Sequence, residues 1–410
     1  MAKPTQRKIT FSKRKTVACH FYSITKMISK IRKFYICSSI YVQTTLLIVI
    51  GFNTTLFFIF LLRDSFRENL ISEQYDTVDL YLSYPEKNDT VIDELLHETW
   101  SRGFKYEAFT QFSEKEFKGK FVNVNGTGIR SNGTLQAWPP NTKKYNIFVF
   151  GGSTTFGYGV ADDETIPFFL QKNLSEYKDK GDIAVYNFGR GFYYSTQEKI
   201  LFESLLSKNI LCDLAIFIDG LNEFIHKKNE PIYTSYLNEI FLQKQETSII
   251  TSCNHIIANT SIGRAQRFLS KFIFSLVPKE ENKDPKIEPL EDYSRILKNY
   301  FFNKRVIEQI ANIFQIKTLF IWQPIPSYKY DQSFHPFARD GYNIHEQSSL
   351  GYANFENNYL KEHNSKNFLW LANIQENQKS RLYVDLVHYS ANFNELISQN
   401  ISNYIIRNSL

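Results

Sequence analysis

Four short stretches of this 410-residue chain concentrate the residue types that nucleophilic catalysis needs. The first is Gly151-Gly152-Ser153-Thr154-Thr155, a serine on a glycine-rich turn, where a hydroxyl is exposed and neighbouring amides can stabilise an oxyanion. The second is Asn187-Phe188-Gly189-Arg190-Gly191-Phe192, and the third is Asp219-Gly220-Leu221-Asn222-Glu223, whose asparagine carries a side-chain amide. The fourth is Asp385-Leu386-Val387-His388, an acid three residues before an imidazole. At that spacing a carboxylate can orient one ring nitrogen while the other faces the serine. Taken singly, each has a plainer reading: a helix cap, a turn former, a polar surface pair. Their presence together, each after a predicted strand or before a predicted helix, favours chemistry. Two other glycine-turn chemistries fail on the residues. A phosphate-binding loop needs a Gly-Lys-Ser/Thr ending that is absent, and Thr155 occupies the second glycine position of a Gly-x-Ser-x-Gly elbow.

The elements that must position these stretches alternate along the chain. Residues 145–151 (YNIFVFG), 183–188 (IAVYNF), 214–219 (LAIFID) and 317–323 (KTLFIWQ) are short, apolar and rich in β-branched or aromatic residues. Strands of a parallel sheet covered on both faces read this way. Helices are expected over 165–177, 195–208, 293–314 and 390–406. The pattern predicts a three-layer α/β/α sandwich with a mainly parallel sheet, in which sites lie at the carboxyl ends of strands. Residues 225–292 and 324–380 exceed what a crossover needs, and are expected to be insertions carrying binding loops or lids.

In this order, Gly-Gly-Ser-Thr, Asn-x-Gly-x-Gly, Gly-x-Asn-Glu and Asp-x-x-His resemble the four blocks of the SGNH (GDSL-like) hydrolases. The resemblance covers roughly residues 145–405, and residues 121–130 (FVNVNGTGIR) resemble the lead-in of membrane-anchored members. It implies an SGNH/flavodoxin-like fold and a triad with Ser153 as nucleophile, His388 as general base and later acid, and Asp385 orienting His388. The oxyanion hole would be built from the Asn222 amide, the Ser153 N–H and a second-block N–H, that of Gly191 or Phe192. Two positions depart from the family: Gly152 stands where many members have aspartate, and Phe192 where a glycine is common. Arg190 is expected to contact substrate, with an ion pair to a surface acid as the alternative. The implied reaction is hydrolysis of carboxylic O-acyl esters through an acyl-enzyme, with acylated cell-surface carbohydrate as a candidate substrate. An O-acyltransferase using the same triad and a non-catalytic binding protein are the alternatives. No cofactor or metal is implied, and His226, His335, His345 and His363 match no metal-ligand spacing.

Charge locates the chain. Its 48 Lys and Arg against 42 Asp and Glu give a net charge of +6, but residues 1–63 hold eleven of the bases and no acid. Removing those eleven leaves 37 bases against 42 acids in residues 64–410, a net charge of −5. A nucleic-acid partner is therefore not expected, because the basic excess is absent from the globular part. Residues 34–62 are 29 consecutive uncharged and mostly apolar residues, more than the roughly 20 needed to span a bilayer. Ten basic residues precede them, so the positive-inside rule predicts residues 1–33 in the cytoplasm, 34–62 as a transmembrane signal anchor and the remainder across the membrane. Residues 63–143 are expected to form a membrane-proximal segment with a helix near 91–100 and strand-like pieces around 119–130, and 144–410 the hydrolase-like domain. Cys212 and Cys253 would then share an oxidising space and could pair.

Overall fold

Alternation of side chains along five strands sets the architecture. The computed structural model describes residues 9–65, 77–133, 136–175, 182–226, 228–245, 260–266, 269, 290–338, 341–363 and 365–410. Helix α1 (Ile9–Ser65) is followed by α2 (Thr77–Tyr81), α3 (Asp89–Trp100) and two antiparallel hairpins. The hairpins pair β1 (Phe104–Glu107) with β2 (Gln111–Glu114), and β3 (Phe117–Lys118) with β4 (Asn123–Val124). The α/β part then runs β5 (Tyr145–Gly151), α4 (Ser153–Phe156), α5 (Ile166–Ser175), β6 (Ile183–Gly189), α6 (Ser195–Ser207), β7 (Leu214–Asp219) and α7 (Thr234–Gln245). It ends with α8 (Leu290–Ile313), β8 (Lys317–Trp322), α9 (Ser348–Asn358), β9 (Phe368–Trp370) and α10 (Ala391–Asn408).

The sheet has the order β6-β5-β7-β8-β9 and every pair is parallel. Its two faces differ in chemistry. Ile147, Val149, Ile216, Ile218, Leu319 and Ile321 pack with Ile166 and Leu170 of α5 and Phe393, Ile397 and Ile401 of α10. The alternate residues are mostly aromatic, with Ala184 and Ala215 among them, and pack with α6, α8 and α9. Phe188, Phe150, Phe217 and Phe320 are register partners on four neighbouring strands, and their rings stack at 5.2, 4.8 and 5.2 Å with interplanar angles of 16°, 10° and 14°. Offset-stacked pairs of this kind each add about 0.5–1.5 kcal/mol beyond their burial. The four predicted strands and four predicted helices of the α/β part are present, within a few residues of their expected ends. The fifth strand, β9, lies inside the stretch expected as an insertion, and three residues are too few to carry a period. The expected insertion at 225–292 falls largely outside the described residues.

Two compact units divide the chain, Met1–Arg67 with Gln243–Asn282 and Glu68–Leu242 with Lys283–Leu410. In the first, the Tyr22–Arg63 part of α1 is long and apolar enough to cross a membrane. Thr54 and Thr55 donate their hydroxyls back to the Ile50 and Gly51 carbonyls at 2.9 Å, so these polar side chains place no unpaired donor in the apolar run. The boundary expected at 143–144 falls inside the second unit. There Arg130, fully buried, reaches the Phe156 carbonyl at 2.9 Å, the Val160 carbonyl at 2.6 Å and the Asp162 carboxylate at 3.0 Å, and its backbone N–H donates to the Asn187 carbonyl at 3.2 Å. One side chain thus fixes the lead-in segment to the loop that follows Ser153. Cys212 is a buried free thiol, and Cys253 lies outside the described residues.

Candidate active site

Ser153 is the first residue of α4, two residues past the end of β5, and its hydroxyl lies 2.8 Å from His388 Nε2. His388 Nδ1 faces both Asp385 oxygens, at 2.7 and 2.9 Å. The carboxylate fixes the tautomer: Nδ1–H donates to Asp385, which leaves Nε2 to accept from Ser153. Asp385 Oδ1 also accepts the backbone N–H groups of Val387 and His388, each at 2.9 Å. Burial alone would raise the Asp385 pKa, but its interaction with the His388 ring and these backbone donors outweigh it and hold the group below its usual value. The turn carrying both residues is closed by the Tyr383–Tyr389 bridge, and Ser390 caps α10 immediately after it. Ser153, His388 and Asp385 are therefore one hydrogen-bonded chain, drawn from positions 235 residues apart.

Asn222 and Phe192 line the same cavity as Ser153. Asn222, at the turn after β7, donates one Nδ2 hydrogen to the Tyr193 carbonyl at 2.7 Å. The Ser153 and Phe192 N–H groups have no acceptor among the described residues. Phe192 takes φ 62°, the left-handed conformation that favours glycine, at the position where the family commonly has one. Two expectations are corrected. Gly191 does not offer its N–H to the cavity, because it donates to Glu114 Oε1 at 2.9 Å. Arg190 does not face substrate: it is buried, with Nη1 on Glu107 at 2.6 Å and on the Tyr193 hydroxyl at 2.9 Å, and it does not line the cavity. The ion pair was the alternative reading.

The cavity, about 390 Å³, also reveals residues that the sequence did not single out. Trp100, the last residue of α3, meets the His388 ring edge-to-face at 5.6 Å, and Tyr158 stacks on it at 5.4 Å and 20°. Tyr158 lies between two glycines of left-handed φ, Gly157 (92°) and Gly159 (82°), a signal that an aromatic is being held out of a tight loop. Trp100 had no such signal. Asn343, Ile344 and His345, from the 324–380 stretch, complete one wall. Burial holds the His345 imidazole at about 4 and that of His335, which contacts the Leu386 carbonyl at 3.2 Å, also at about 4. His226 faces two backbone carbonyls and His363 stacks on Phe301 at 3.5 Å.

Packing explains the glycine at 152. A Cβ there would lie 2.5 Å from Asn222 Nδ2 and 3.2 Å from the Tyr193 carbonyl, so the Asn222 amide occupies the space an aspartate would need. Behind Asn222 three carboxyls are buried together. Glu223 accepts the Ser195 N–H at 2.7 Å and its hydroxyl at 2.9 Å, while Glu198 and Asp219 hold oxygens with no protein donor. Burial and mutual repulsion favour the protonated form of this pair.

Solved structures similar in fold include an acetyl xylan esterase, AlAXEase, at 15% identity and a TM-score of 0.35, covering 63% of this chain and 99% of that one. A GDSL-like lipase from Bacteroides thetaiotaomicron matches at 12% identity and 0.34, covering 66% and 92%. The psychrotrophic esterase EstA from a Pseudoalteromonas species matches at 11% and 0.33, covering 64% and 98%. No family model and no curated protein sequence matches the chain.

Two predictions follow from packing and charge. Gly152→Ala forces the Asn222 amide aside and should destabilise the protein by about 1–3 kcal/mol, read by thermal unfolding. Burial pushes Glu223 up to about 7, and Glu198 and Asp219 well above their ordinary range. Carboxyls raised in the folded state give stability that is complete below their unfolded values, about 4.5, and is lost as pH rises through the folded ones. The buried histidines act oppositely, but only below about 6.5, where an unfolded imidazole charges. From pH 6.5 to 8.5 the unfolding midpoint should therefore fall, and Glu198→Gln should flatten the slope. A midpoint constant over that range would contradict protonated carboxyls in the cluster.

Proposed function

We propose that this chain is a serine esterase held at a membrane by its first helix, hydrolysing carboxylic O-acyl esters through an acyl-enzyme on Ser153. The observation that carries this reading is the Ser153–His388–Asp385 chain, with contacts of 2.8 and 2.7 Å, opening on a cavity that holds unused N–H donors. His388 Nε2 takes the Ser153 proton as Oγ attacks the ester carbonyl, and Asp385 stabilises the imidazolium. The tetrahedral oxyanion is met by the Asn222 amide and the N–H groups of Ser153 and Phe192. His388 then protonates the leaving alcohol, and a water deprotonated by the same ring releases the acid. Trp100, Phe192, Ile344 and Leu386 give the cavity an apolar lining that suits the acyl part, leaving the alcohol toward solvent.

The basic arm, residues 1–33, would remain in the cytoplasm with 34–62 spanning the bilayer, which puts the esterase outside the cytoplasm. O-acylated carbohydrate of the cell surface is the substrate class that fits this compartment.

A fluorophosphonate probe should label the full chain in detergent, and Ser153→Ala and His388→Ala should both lose the label. Asn222→Ala should lower kcat on short acyl esters by about 100–1,000-fold. A label retained in Ser153→Ala would mean another nucleophile. For topology, a reporter that is active only outside the cytoplasm, fused after Leu410, should give signal. Activity of a cytoplasm-only reporter at the same site would reverse the orientation.

A further inference from the structure

The carboxylate of Glu114 belongs to none of the four blocks, yet it touches both halves of the site. It ends β2, in the β1–β2 hairpin that precedes the α/β part in sequence, and its side chain is 1% exposed. Oε2 accepts from Arg102 Nη1 at 2.9 Å. Oε1 accepts two donors, the Tyr158 hydroxyl at 3.0 Å and the Gly191 N–H at 2.9 Å. Tyr158 is the ring stacked on His388, and Gly191 immediately precedes Phe192. The cluster is dense enough to transmit position: the Arg102 guanidinium lies 4.5 Å over the Phe156 ring and 5.4 Å over the Tyr158 ring. A Cβ added to Gly191 would stand 2.8 Å from the Tyr158 oxygen and 2.9 Å from Phe104 Cζ.

From this geometry we infer that Glu114 is a positioning residue that sets the catalytic imidazole and the oxyanion loop at once, making the β1–β2 hairpin part of the catalytic apparatus. The inference rests on the esterase reading for its kinetic consequence. An acceptor with two lone pairs is required on Oε1, and a full negative charge is required beside Arg102. Glutamine meets the first requirement only, since its amide turns a donor toward the Arg102 N–H. The Arg102 charge is then left buried without its anion, and the side chain that orders Tyr158 and Gly191 loses its anchor. Tyr158→Phe removes one hydrogen bond and keeps the ring against His388, which separates the imidazole branch from the Gly191 branch.

The test uses the full chain in detergent with wild type, Glu114→Gln and Tyr158→Phe, each counted by folded fraction. In Glu114→Gln, kcat on short acyl esters should fall by about 10–100-fold with KM within about twofold, as a small misplacement of reacting groups demands. Tyr158→Phe should lose less. A scaffold residue with no positioning role would lower the unfolding midpoint and leave kcat per folded molecule unchanged, and that result would overturn the inference. A second readout needs no substrate. In chain labelled with ¹⁵N-histidine, the His388 ring signals, identified by their loss in His388→Ala, should shift in both variants. Signals coincident with wild type would sink the inference even in a chain that hydrolyses nothing. Conversely, a wild type that neither labels nor turns over esters would refute the esterase reading while leaving the ring signals to decide on Glu114. If Glu114→Gln fails to fold, Tyr158→Phe alone still decides whether the contact reaches the imidazole.

Discussion

A carboxylate buried away from water persists as an anion only where donors surround it, and Asp385 sits under that constraint. Its three donors all come from within its own turn: the Val387 and His388 N–H groups and the His388 ring. Meeting the charge therefore dictates the shape of the turn, and the shape of the turn aims the imidazole. The aim is useful only if the turn is held against the end of β5, far away in sequence. Helix α10 supplies that hold. Asn394 donates to the Glu164 carbonyl at 2.9 Å and Ser398 to the Ile166 carbonyl at 2.8 Å, while Phe393, Ile397 and Ile401 pack on the aliphatic face of the sheet. Local electrostatics thus set the orientation of His388, and long-range burial sets its position.

The other face of the sheet solves a different problem. Helix α6 must begin close behind the second block, and its first N–H groups have no partner within the helix. Glu223 accepts the Ser195 N–H and hydroxyl there, meeting one of those donors. The adjacent Glu198 and Asp219 then cannot all ionise, since like charges in an apolar setting repel and lack solvation. The stacked phenylalanines beside them supply burial without polar atoms. An aromatic layer and a protonated carboxyl cluster are compatible because neither leaves a net charge unpaired.

What was legible in the sequence follows the range of the interactions. Strands β5 to β8 were legible because a strand covered on both faces is a continuous apolar run, and β9 was not because three residues show no pattern. The chain from Ser153 to Asp385 was legible as residue types in order, although spacing alone could not say that they would meet. Arg190 and Gly191 were assigned to the cavity because their partners could not be seen. Glu107 and Glu114 come from a hairpin more than 70 residues upstream, and nothing near the second block announces a carboxylate. Trp100 was invisible for the same reason: it reads as the last apolar residue of an amphipathic helix and contacts His388 only in the folded chain.

Phe192 shows how the cavity wall accommodates a left-handed residue that carries a side chain. A left-handed conformation costs a residue with a Cβ roughly 1–2 kcal/mol relative to glycine, so something must hold it. His226 lies 2.9 Å from the Phe192 carbonyl through Nε2 and 3.0 Å from the Glu230 carbonyl through Nδ1, and its ring stacks on Tyr194 at 4.2 Å. Burial keeps its pKa below the ordinary value, so the ring is neutral and has one hydrogen for two carbonyls. The side chain gained by this arrangement is 36% exposed and forms part of the cavity wall. A glycine would relieve the backbone but remove that wall, while the N–H would be available in either case. Phenylalanine here therefore leaves the N–H in place and changes the shape of the cavity in front of it.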